Sequence, residues 1–570
     1  MKLKKTTLTS CVLGSALLAL AIPGIGHAMP SYPPVTQSRL DNAASSPGWL
    51  MFNRDYAGDD YAPYSAINTS NVASLKPVWT SPKVNIPHGF ENVPIINGDY
   101  MFVTTPLDHL MAFDAKTGKL LWKYTYKLAG DATKTICCDV NNRGVAVYDD
   151  MVYMATIDNH VVAFDAKTGK VAWNSALYKP GVGYSIDEAP LIVDGKVVVG
   201  VGGGEYGARG FIAALDAKTG KLAWKLHTIP SPSEPGGKTW PAGAYKHGGG
   251  SPWMTGTYDP STKTLFWGVG NPGPWLASTR PGHNLYSDSL LAIDPSTGKI
   301  KWHYQYTRND TWDYDGVNTP TLSNVTYKGK PYKAIVEANR NGYFYAINRE
   351  DGKLIYAKPF VHDTSITGIS AGGHAINNTA NQPGLDKQIT TCPSFLGGKN
   401  WWAAAVDPKT NMAYVPTLHA CMTMKGVPTS YAAGLPYLGE TFQMIPDPTS
   451  PDLGSVQAID LSTGKQVWEY KTKAPWNGGM TATGGGLVFS GGTDGKLYGF
   501  DAKTGKILWT SANLGSPIIA APVSYEVDGK QYVAVWSGWG GVWPLWSGKL
   551  GAPLTKAPTG GQLHVFALNG

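Results

Sequence analysis

One short phrase recurs eight times along this chain, and this recurrence limits the fold more than any other feature of the sequence. Each copy has an apolar run that ends in Asp or Asn, followed by a polar turn and a second run that usually ends in an aromatic residue. The first three copies read AFDAKTGKLLW (112–122), AFDAKTGKVAW (163–173) and ALDAKTGKLAW (214–224). The repeated position falls at Asp114, Asp165, Asp216, Asp294, Asn348, Asp407, Asp460 and Asp501, at intervals of 41 to 78 residues.

The phrase is typical of a β-hairpin whose turn needs a left-handed residue, which Gly supplies without steric cost. One hairpin cannot bury its own apolar face, whereas copies arranged around an axis bury the aromatic residue between neighbouring sheets. We therefore predict an all-β fold, an eight-bladed β-propeller with tryptophan-docking repeats, formed as one domain by residues 29–570. The strand-like tail 562–568 (QLHVFAL) is expected to close the ring against the first blade, and the copy containing MAYVP (412–416) lacks the usual Gly and Trp.

Residues 1–28 have the pattern of a cleaved export signal. Three lysines precede an apolar run from Cys11 to Ile25, and Gly26-His27-Ala28 supplies small residues at the cleavage position. A membrane anchor is the alternative, but the run is shorter than the roughly 17 to 25 residues of a spanning helix. We expect an exported chain with no membrane span. Its formal net charge of +7 includes the three lysines of the signal, and no basic cluster supports a nucleic-acid partner.

Five cysteines are present, and Cys11 would leave with the signal. In an oxidising compartment the other four suggest two disulfides, which we assign as Cys392 with Cys421 and Cys137 with Cys138. A bond between adjacent cysteines is strained, and strain tends to persist at functional sites. Free thiols at 137 and 138 are the alternative. The sequence has no Cys-x-x-Cys-His motif for covalent haem and no Cys/His zinc pattern.

Four further motifs stand outside the repeat: CCDVNNRG (137–144), GGGEYG (202–207), GVGNPGPW (268–275) and WDYDGVN (312–318). In this order, and together with the repeats, they resemble the quinoprotein alcohol and methanol dehydrogenases. These are periplasmic eight-bladed propellers that use pyrroloquinoline quinone (PQQ) and a metal ion. The resemblance covers essentially the whole mature chain. It implies a periplasmic oxidoreductase that oxidises a small alcohol to an aldehyde or ketone and passes electrons to a separate cytochrome c, and it allows a homodimer.

The resemblance also implies a set of PQQ contacts. The cystine Cys137–Cys138 would lie on one face of the quinone, and the Trp253 indole would stack on the other. Because the quinone carries three carboxylates, it needs cationic and polar partners. The residues that match family contacts are Glu91, Arg143, Ser251, Arg340, Asn400 and Trp543. Trp275 and Trp543 are expected to wall the substrate pocket, and the Pro-rich loop 424–454 is expected to cap its entrance.

The metal prediction depends on WDYDGVN. Glu205, Asn271 and Asp313 match the family's metal ligands or their neighbours, and oxygen donors suit a hard cation. In the calcium-dependent branch of the family the position two after the catalytic Asp is usually small and uncharged, whereas in the lanthanide-dependent branch it is a second Asp, here Asp315. The resemblance therefore implies a lanthanide bound by Glu205, Asn271 and Asp315 beside Asp313. A calcium site with Asp315 turned toward solvent is the alternative. Asp313 would accept the alcohol proton, with Arg340 near the reactive carbonyls.

Parts of the sequence allow other assignments. Residues 202–207 fit G-x-G-x-x-G, but a dinucleotide loop requires a following helix and FIAALDAKTG predicts a strand and a repeat turn. Asp187 and Glu188 stand where the family commonly has a Thr facing a PQQ carboxylate, so either this contact is remodelled or the local register differs. A calcium-dependent sugar or polyol dehydrogenase is the main alternative activity. A non-enzymatic exported propeller scaffold is the alternative from another class, and it would have no use for the CCD and WDYDGVN motifs.

Overall fold

The computed structural model describes residues 30–539 and 541–568, so the predicted export signal at 1–28 lies outside the described residues. Strands dominate this part of the chain. Its α-helices are α1 (Gln37–Asp41), α2 (Val542–Trp546) and α3 (Ala552–Thr555). Within the described ranges, no helix has both the length and the apolar character needed to cross a membrane.

The strands, in chain order, have the following bounds. They are β1 (Tyr61–Ala62), β2 (Leu75–Thr80), β3 (Ile95–Asn97), β4 (Tyr100–Thr105), β5 (His109–Asp114), β6 (Leu120–Tyr124), β7 (Val145–Tyr148), β8 (Met151–Ala155), β9 (His160–Asp165), β10 (Val171–Ala176), β11 (Leu191–Val193), β12 (Lys196–Gly200), β13 (Phe211–Asp216), β14 (Leu222–His227), β15 (Thr257–Asp259), β16 (Thr264–Val269), β17 (Ser289–Ile293), β18 (Ile300–Gln305), β19 (Thr321–Tyr327), β20 (Lys330–Ala338), β21 (Tyr343–Asn348), β22 (Leu354–Pro359), β23 (Ile366–Ile369), β24 (Ala375–Asn377), β25 (Gln388–Thr391), β26 (Ala405–Asp407), β27 (Met412–Leu418), β28 (Ala420–Gly426), β29 (Glu440–Pro446), β30 (Gly454–Asp460), β31 (Lys465–Thr472), β32 (Met480–Thr483), β33 (Leu487–Gly491), β34 (Leu497–Asp501), β35 (Ile507–Thr510), β36 (Val523–Val527), β37 (Lys530–Gly538) and β38 (Gly561–Leu568).

Most of these strands form four-stranded antiparallel sheets. Sheets 1 to 5 are built from consecutive strands, namely β3–β6, β7–β10, β11–β14, β15–β18 and β19–β22. Sheet 6 has the order β26-β27-β30-β31, and sheet 7 has β32–β35 with β1 added in parallel. Sheet 8 has the order β2-β38-β37-β36, with Leu75 opposite Leu568. The second strand of the described chain, β2, therefore pairs with the last strand, β38.

The repeat phrase forms a hairpin that touches the preceding sheet. In sheet 1, Asp114 Oδ1 accepts the N–H of Thr117 at 2.8 Å, and Gly118 has φ +71°. A Cβ on Gly118 would lie 2.5 Å from the indole of Trp79 in sheet 8, so Gly is needed for the ring to lie on the turn. Trp79 Nε1 also donates to Ala115 O at 3.3 Å.

Equivalent contacts continue from each sheet to the next and return to the start. In each case a Trp Nε1 or a Tyr hydroxyl of one sheet donates to a backbone carbonyl of the next sheet. The pairs are Trp122–Ala166 (2.9 Å), Trp173–Ala217 (3.1 Å), Trp224–Pro295 (2.8 Å), Tyr356–Leu461 (2.7 Å), Trp468–Ala502 (3.0 Å) and Trp509–Leu75 (3.2 Å). Between sheets 4 and 5, the Trp302 ring lies instead where a Cβ on Gly352 would be 2.6 Å away. Buried apolar residues fill the spaces between sheets. The described residues thus adopt a mostly β, propeller-type fold.

The repeat phrases do not correspond one to one with the sheets. The phrase at Asp407 joins β26 to β27 and the phrase at Asp460 joins β30 to β31, so both lie in sheet 6. Sheet 8 has no complete copy because its strand β2 comes from the other end of the chain, and it keeps only the aromatic Trp79. The tail strand β38 pairs with β2 and β37 inside sheet 8, rather than with the strands of sheet 1.

One insertion reaches the site described below. Between β27 and β30 the chain leaves sheet 6 and forms β28 and β29, which make a separate three-stranded sheet with β25. The stretch 424–454 is therefore not a continuous loop, because residues Glu440–Pro446 form a strand. Residues 427–439, which connect β28 to β29, are called the hairpin tip.

Candidate active site

A cavity of about 130 Å³ is bounded on one side by the hairpin tip. Its charged and amide-bearing side chains are Glu91, Arg143, Asp187, Glu205, Asp313, Asp315, Arg340 and Asn400. Its aromatic and apolar side chains include Trp253, Trp275, Phe395, Leu396, Trp401, Pro436, Leu438, Phe442, Val542 and Trp546. Cys137 and Cys138 also line it. Most of the residues singled out by sequence thus meet in one cavity, although they lie far apart in the chain.

The stretch WDYD alternates between the protein core and the cavity. The Asp310 carboxylate accepts the N–H groups of Trp312 and Tyr314 at 3.1 and 3.0 Å, which fixes the turn. Asp313 has φ +65°, a conformation that Asp adopts more readily than most residues. The rings of Trp312 and Tyr314 are fully buried, and the carboxylates of Asp313 and Asp315 reach the cavity.

Arg340 connects the two aspartates of this stretch. Its Nη1 lies 3.1 Å from Asp313 Oδ2 and donates to Asp313 O at 2.9 Å, while Nη2 lies 2.8 Å from Asp315 Oδ2. Trp253 Nε1 donates to the same Asp315 oxygen at 3.0 Å, and Arg340 Nη2 lies 3.4 Å from Asn400 Oδ1. Asp315 is only 2% exposed, so it faces the site and not the solvent.

Glu205, Asn271 and Asp315 bring oxygen donors to one point. One terminal atom of the Asn271 amide lies 3.2 Å from both Asp315 Oδ1 and Glu205 Oε1, and the other lies 2.9 Å from Trp275 Nε1. The amide can donate its nitrogen to the two carboxylates, or it can turn its oxygen toward them as a third ligand. A Cβ on Gly270 would lie 2.5 Å from Asp315 Oδ1, so glycine is required for this close approach.

Glu205 is positioned by a single 3₁₀ turn, Gly204–Tyr206. Gly203 and Gly207 flank this turn with φ +109° and +65°, which explains its glycine-rich sequence. The carbonyl of Glu205 accepts the N–H of Tyr437 in the hairpin tip at 2.6 Å. Strand β13 follows the turn, as expected for a loop that does not hold a dinucleotide.

Burial and like charge dominate the electrostatics of this cluster. Burial raises the pKa of Asp313 well above its usual range, Arg340 opposes this shift, and Asp315 and Glu205 add to it. Burial also raises the pKa of Glu205 to about 7, with a further contribution from Asp315. Three carboxyl groups thus share a buried site with one guanidinium, and a multivalent cation would balance the excess of negative charge.

Arg143 organises a second part of the cavity. Its Nη2 lies 2.7 Å from Glu91 Oε2, and its Nη1 lies 2.6 Å from Asp187 Oδ2. Its guanidinium carbon is 5.1 Å from the ring centroid of Trp253 and 4.6 Å from that of Trp401. Burial raises the pKa of Glu91 to about 7, and Arg143 opposes that shift. A cation held between two indoles therefore borders the cavity, which suits an anionic, flat ligand.

The two acids at 187 and 188 have different environments. Asp187 borders the cavity, but Arg143 balances its negative charge through an ion pair. Glu188 is fully buried, does not line the cavity and accepts the N–H of Gly200. Of the two explanations offered by the sequence, remodelling of the contact by the Asp187–Arg143 pair agrees with this geometry.

The cysteines are paired as two disulfides, Cys137 with Cys138 and Cys392 with Cys421. The first pair borders the cavity, in the connection between β6 and β7, and Cys138 has φ +68°. The second pair lies outside the cavity lining and joins Cys392, just after β25, to Cys421 in β28. It therefore ties together the sheet that carries the hairpin tip.

Two residues expected to contact the cofactor do not border the cavity. Ser251 is buried next to Gly204, where an added Cβ would lie 3.2 Å from Ser251 Oγ. This hydroxyl has no hydrogen-bond partner among the described residues. Trp543 is fully buried, whereas Val542 and Trp546 of the same helix line the cavity. Residues four apart share one helix face and an adjacent residue does not, so Trp546 occupies the position expected for Trp543.

Sequence reasoning missed several walls of the cavity. Phe442 lies 5.6 Å from Trp275, 4.6 Å from Phe395 and 5.9 Å from Trp546, measured between ring centroids. Phe395 lies in a connection, Phe442 in β29 and Trp546 in α2, and no shared motif marks these three residues. Trp401 is also among the missed residues, although it directly follows the predicted contact Asn400 in the sequence.

The residues present fit both PQQ and a hard cation. Arg143 and Arg340 supply positive charge for a ligand with several carboxylates, and the cystine and the Trp253 indole both line the cavity. The Nε of Arg340, a residue that lines the cavity, is a buried polar atom with no hydrogen-bond partner among the described residues. The candidate metal ligands are oxygens of Asp315 and Glu205 and the amide oxygen of Asn271, and hard cations prefer oxygen ligands.

Comparison with known proteins agrees with this chemistry. The family described as "Glucose/ethanol/alcohol dehydrogenase, beta-propeller domain" matches residues 49–359, and the description "Outer membrane protein assembly factor BamB" matches residues 452–545. Over 98% of its length the chain is 39% identical to quinoprotein alcohol dehydrogenase PedH of Pseudomonas putida, of which 96% is covered. Over 91% of its length it is 38% identical to the lanthanide-dependent methanol dehydrogenase of Methylacidiphilum fumariolicum, of which 92% is covered. A solved structure of a europium-containing methanol dehydrogenase superposes with a TM-score of 0.90 at 35% identity, over 93% of this chain and 100% of that one.

The chain therefore belongs to the PQQ-dependent β-propeller dehydrogenases, as the sequence motifs predicted. Within that family it is a PQQ-dependent alcohol dehydrogenase, and PQQ with a metal ion is its cofactor set.

Proposed function

We propose that this chain is an exported enzyme that oxidises apolar alcohols to aldehydes or ketones with PQQ and a lanthanide ion, and that it reduces a separate cytochrome c. One observation carries the proposal. The carboxylates of Glu205 and Asp315 and the amide of Asn271 converge beside the Asp313–Arg340 pair, next to a cavity lined by a cystine and a Trp face.

The charge of the cluster favours a trivalent ion. Glu205, Asp313 and Asp315 carry three negative charges when ionised, and Arg340 carries one positive charge. Since Asp315 is buried and its Oδ1 is directed toward Asn271 and Glu205, its charge acts within the site. These side chains sum to a net charge of about −2, and the carboxylates of PQQ add the further negative charge that a trivalent ion balances better than a divalent ion in a medium of low dielectric constant. The lanthanide and europium named in two of the similar proteins support this choice.

PQQ would be held by the cavity that Cys137, Cys138, Trp253 and Arg143 line, and together with the metal ion it would supply the electrophilic oxidant for the alcohol. Asp313 is placed to take the hydroxyl proton, because its carboxylate borders the cavity and Arg340 holds one of its oxygens. Arg340 also pairs with Asp315 and so maintains the spacing between the proton acceptor and the oxygen cluster. The aromatic walls exclude water from the reacting atoms.

The lining favours apolar alcohols over sugars. Trp275, Leu438, Phe442 and Trp546 form an apolar wall, called the roof, and none of these side chains can hydrogen-bond several hydroxyls. The roof therefore offers a polyol no replacement for the hydrogen bonds that its hydroxyls make to water.

The same proposal includes the architecture. Sheets 1 to 8 are eight blades of one propeller formed by residues 29–570, and the repeat aromatics dock each blade on the next. The closed series of ring contacts from Trp79 through Trp509 supports this arrangement. Closure occurs inside sheet 8, where β2 and β38 come from opposite ends of the chain.

Export to the periplasm is proposed from the sequence of residues 1–28, and the two cystines are consistent with an oxidising compartment. There the electrons would leave to a separate cytochrome c.

Dye reduction tests the proposal. Protein loaded with PQQ is assayed with lanthanum or calcium against methanol, longer alcohols and sugars. We expect turnover that depends on lanthanum and favours longer alcohols, and loss of turnover but not of PQQ binding in Asp313→Asn. Activity on sugars with calcium would support the polyol dehydrogenase instead, and a folded protein without PQQ binding or turnover would support the scaffold.

A further inference from the structure

We infer that His88 and Asp139 form a positioning pair that holds the cystine Cys137–Cys138 at the cavity, and that the affinity for PQQ depends on this pair. The link to PQQ rests on the proposed function, whereas the link to the cystine does not. Neither residue lines the cavity, so the pair would act through the cystine and not by contact with the cofactor.

The Asp139 carboxylate uses both of its oxygens. Oδ1 lies 2.5 Å from His88 Nδ1 and accepts the N–H of Val140 at 2.9 Å, while Oδ2 accepts the N–H of Gly89 at 2.9 Å. One side chain directly after the cystine is thus bound to two consecutive residues of the segment 88–91. This carboxylate therefore links the residue next to the cystine directly to that segment.

The segment 88–91 is itself a fixed support. Phe90 is fully buried in sheet 8, where a Cβ on Gly538 or Gly561 would lie 2.5 or 2.6 Å from its side chain. Glu91 follows and pairs with Arg143 at 2.7 Å. A displacement of Asp139 relative to this segment would therefore change the position of the cystine relative to the Glu91–Arg143 pair.

The backbone at the cystine needs such a support. Cys138 and Asp139 are consecutive residues with φ +68° and +92°, a region that residues other than Gly adopt at an energetic cost. Such a conformation persists only where the surroundings determine it. The other side-chain hydrogen bonds here are made by Asn141 to Cys138 O at 3.3 Å and by Tyr206 to Ile136 O at 3.2 Å.

The pair should also respond to pH. The hydrogen bond that His88 donates to Asp139 raises the pKa of His88, although partial burial opposes the shift. Glu91 is the other acid close to the pair, and it is already paired with Arg143. Because the folded-state pKa of His88 is raised, the contribution of the ion pair is complete below the ordinary pKa of His and is lost as the pH rises through the raised value. The cystine should be held less firmly in alkaline solution.

Three variants of the full-length protein separate this role from general stability. Asp139→Asn removes the charge, and Asn tolerates a positive φ at least as well as Asp. His88→Gln keeps a hydrogen-bond donor but cannot titrate. Asp131→Asn is the matched control, because it removes an exposed ion pair with Lys134, 2.8 Å long, in the same connection between β6 and β7.

The first measurement is the dissociation constant for PQQ, read from quenching of tryptophan fluorescence with lanthanum present, at pH 6 and pH 9. We expect about three- to tenfold weaker binding in Asp139→Asn at pH 6, since a charge-assisted hydrogen bond that is partly exposed is lost. His88→Gln should bind PQQ with a smaller dependence on pH than the wild type, and Asp131→Asn should match the wild type. Wild-type affinity and an unchanged pH dependence in both test variants would overturn the role in PQQ binding.

The second measurement does not need PQQ. The rate at which dithiothreitol reduces Cys137–Cys138 is followed by thiol labelling and peptide mass. Asp139→Asn should be reduced several times faster than the wild type and the Asp131→Asn control. Equal rates in all three would overturn the pairing as a support of the cystine. Failure of the wild type to bind PQQ, combined with faster reduction in Asp139→Asn, would instead refute the proposed function and leave the structural pair supported.

Discussion

Replacement of Asp315 by Asn removes one negative charge from the oxygen cluster while keeping the size of the side chain. Asp315 Oδ2 accepts from Arg340 Nη2 at 2.8 Å and from Trp253 Nε1 at 3.0 Å, and an amide oxygen can keep these contacts. The amide nitrogen would then point toward Asn271 and Glu205, where the proposed ion needs an oxygen. The variant should fold and bind PQQ, but it should bind the ion poorly.

The size of the effect follows from the charge. At roughly 2.4 Å from a hard cation and an effective dielectric constant of about 20, one ligand charge attracts each unit of ion charge by about 7 kcal/mol. A trivalent ion therefore loses about 7 kcal/mol more gross attraction than a divalent ion, and its stronger hydration offsets much of this. A net loss of about 3 kcal/mol corresponds to a decrease in affinity of about a hundredfold.

Terbium luminescence sensitised by tryptophan measures this affinity, because Trp253 contacts Asp315 directly. Titration of the PQQ-loaded proteins with terbium, and competition with calcium, gives both constants. We expect about a hundredfold weaker terbium binding, a smaller change for calcium and loss of lanthanum-stimulated dye reduction. Terbium affinity within threefold of the wild type, or lanthanum-stimulated turnover at the wild-type rate, would refute the assignment of Asp315 as a ligand.

Three further predictions concern other residues. Gly270→Ala should weaken terbium binding, because the new Cβ would lie 2.5 Å from Asp315 Oδ1. The control Gly130→Ala, where no atom lies within 4 Å, should bind terbium like the wild type. Equal terbium affinities of the two variants would contradict the close packing at Gly270. In the dye assay, Phe442→Ala should raise KM about tenfold for 1-octanol through loss of apolar contact, but should leave KM for methanol unchanged. The same change in KM for both alcohols would show that the roof does not select substrates. Burial raises the pKa of Glu440 from 4.5 to about 8, so the folded state holds this proton more tightly and stability falls as the pH rises through that interval. The Gln side chain of Glu440→Gln cannot lose a proton, so the variant lacks this loss of stability. By calorimetry, the Tm of the variant minus the Tm of the wild type should increase from pH 5 to pH 9. A difference in Tm that stays constant over this range would contradict the buried proton on Glu440.

The repeat phrase predicted the kind of sheet but not how the chain closes. Its Asp and Gly residues specify a hairpin locally, and the hairpins are present with Gly in the left-handed region. The phrase at Asp407, however, joins two strands of the sheet that already contains the phrase at Asp460. Sheet 8 is assembled from both ends of the chain, so no continuous phrase could mark it. The number of phrases equals the number of sheets 1 to 8 only because sheet 6 contains two phrases and sheet 8 contains no complete one.

For the site, motif residues could be predicted and walls could not. Asp313 and Asp315 lie in a short turn whose alternation with buried Trp312 and Tyr314 is visible in the sequence. Phe442 borders the same cavity only because the hairpin from sheet 6 folds over it, which depends on tertiary packing and not on local pattern.

Direct uptake is the most decisive test of the proposed metal and cofactor site. Folded protein without cofactors is equilibrated with PQQ and equal concentrations of lanthanum and calcium, and is then desalted. PQQ is measured by absorbance and the ions by mass spectrometry. If Glu205, Asn271 and Asp315 hold one multivalent ion next to PQQ, each chain should retain one PQQ and one lanthanum with little calcium. A protein that retains neither PQQ nor an ion, or that retains calcium in preference to lanthanum, would contradict the proposal.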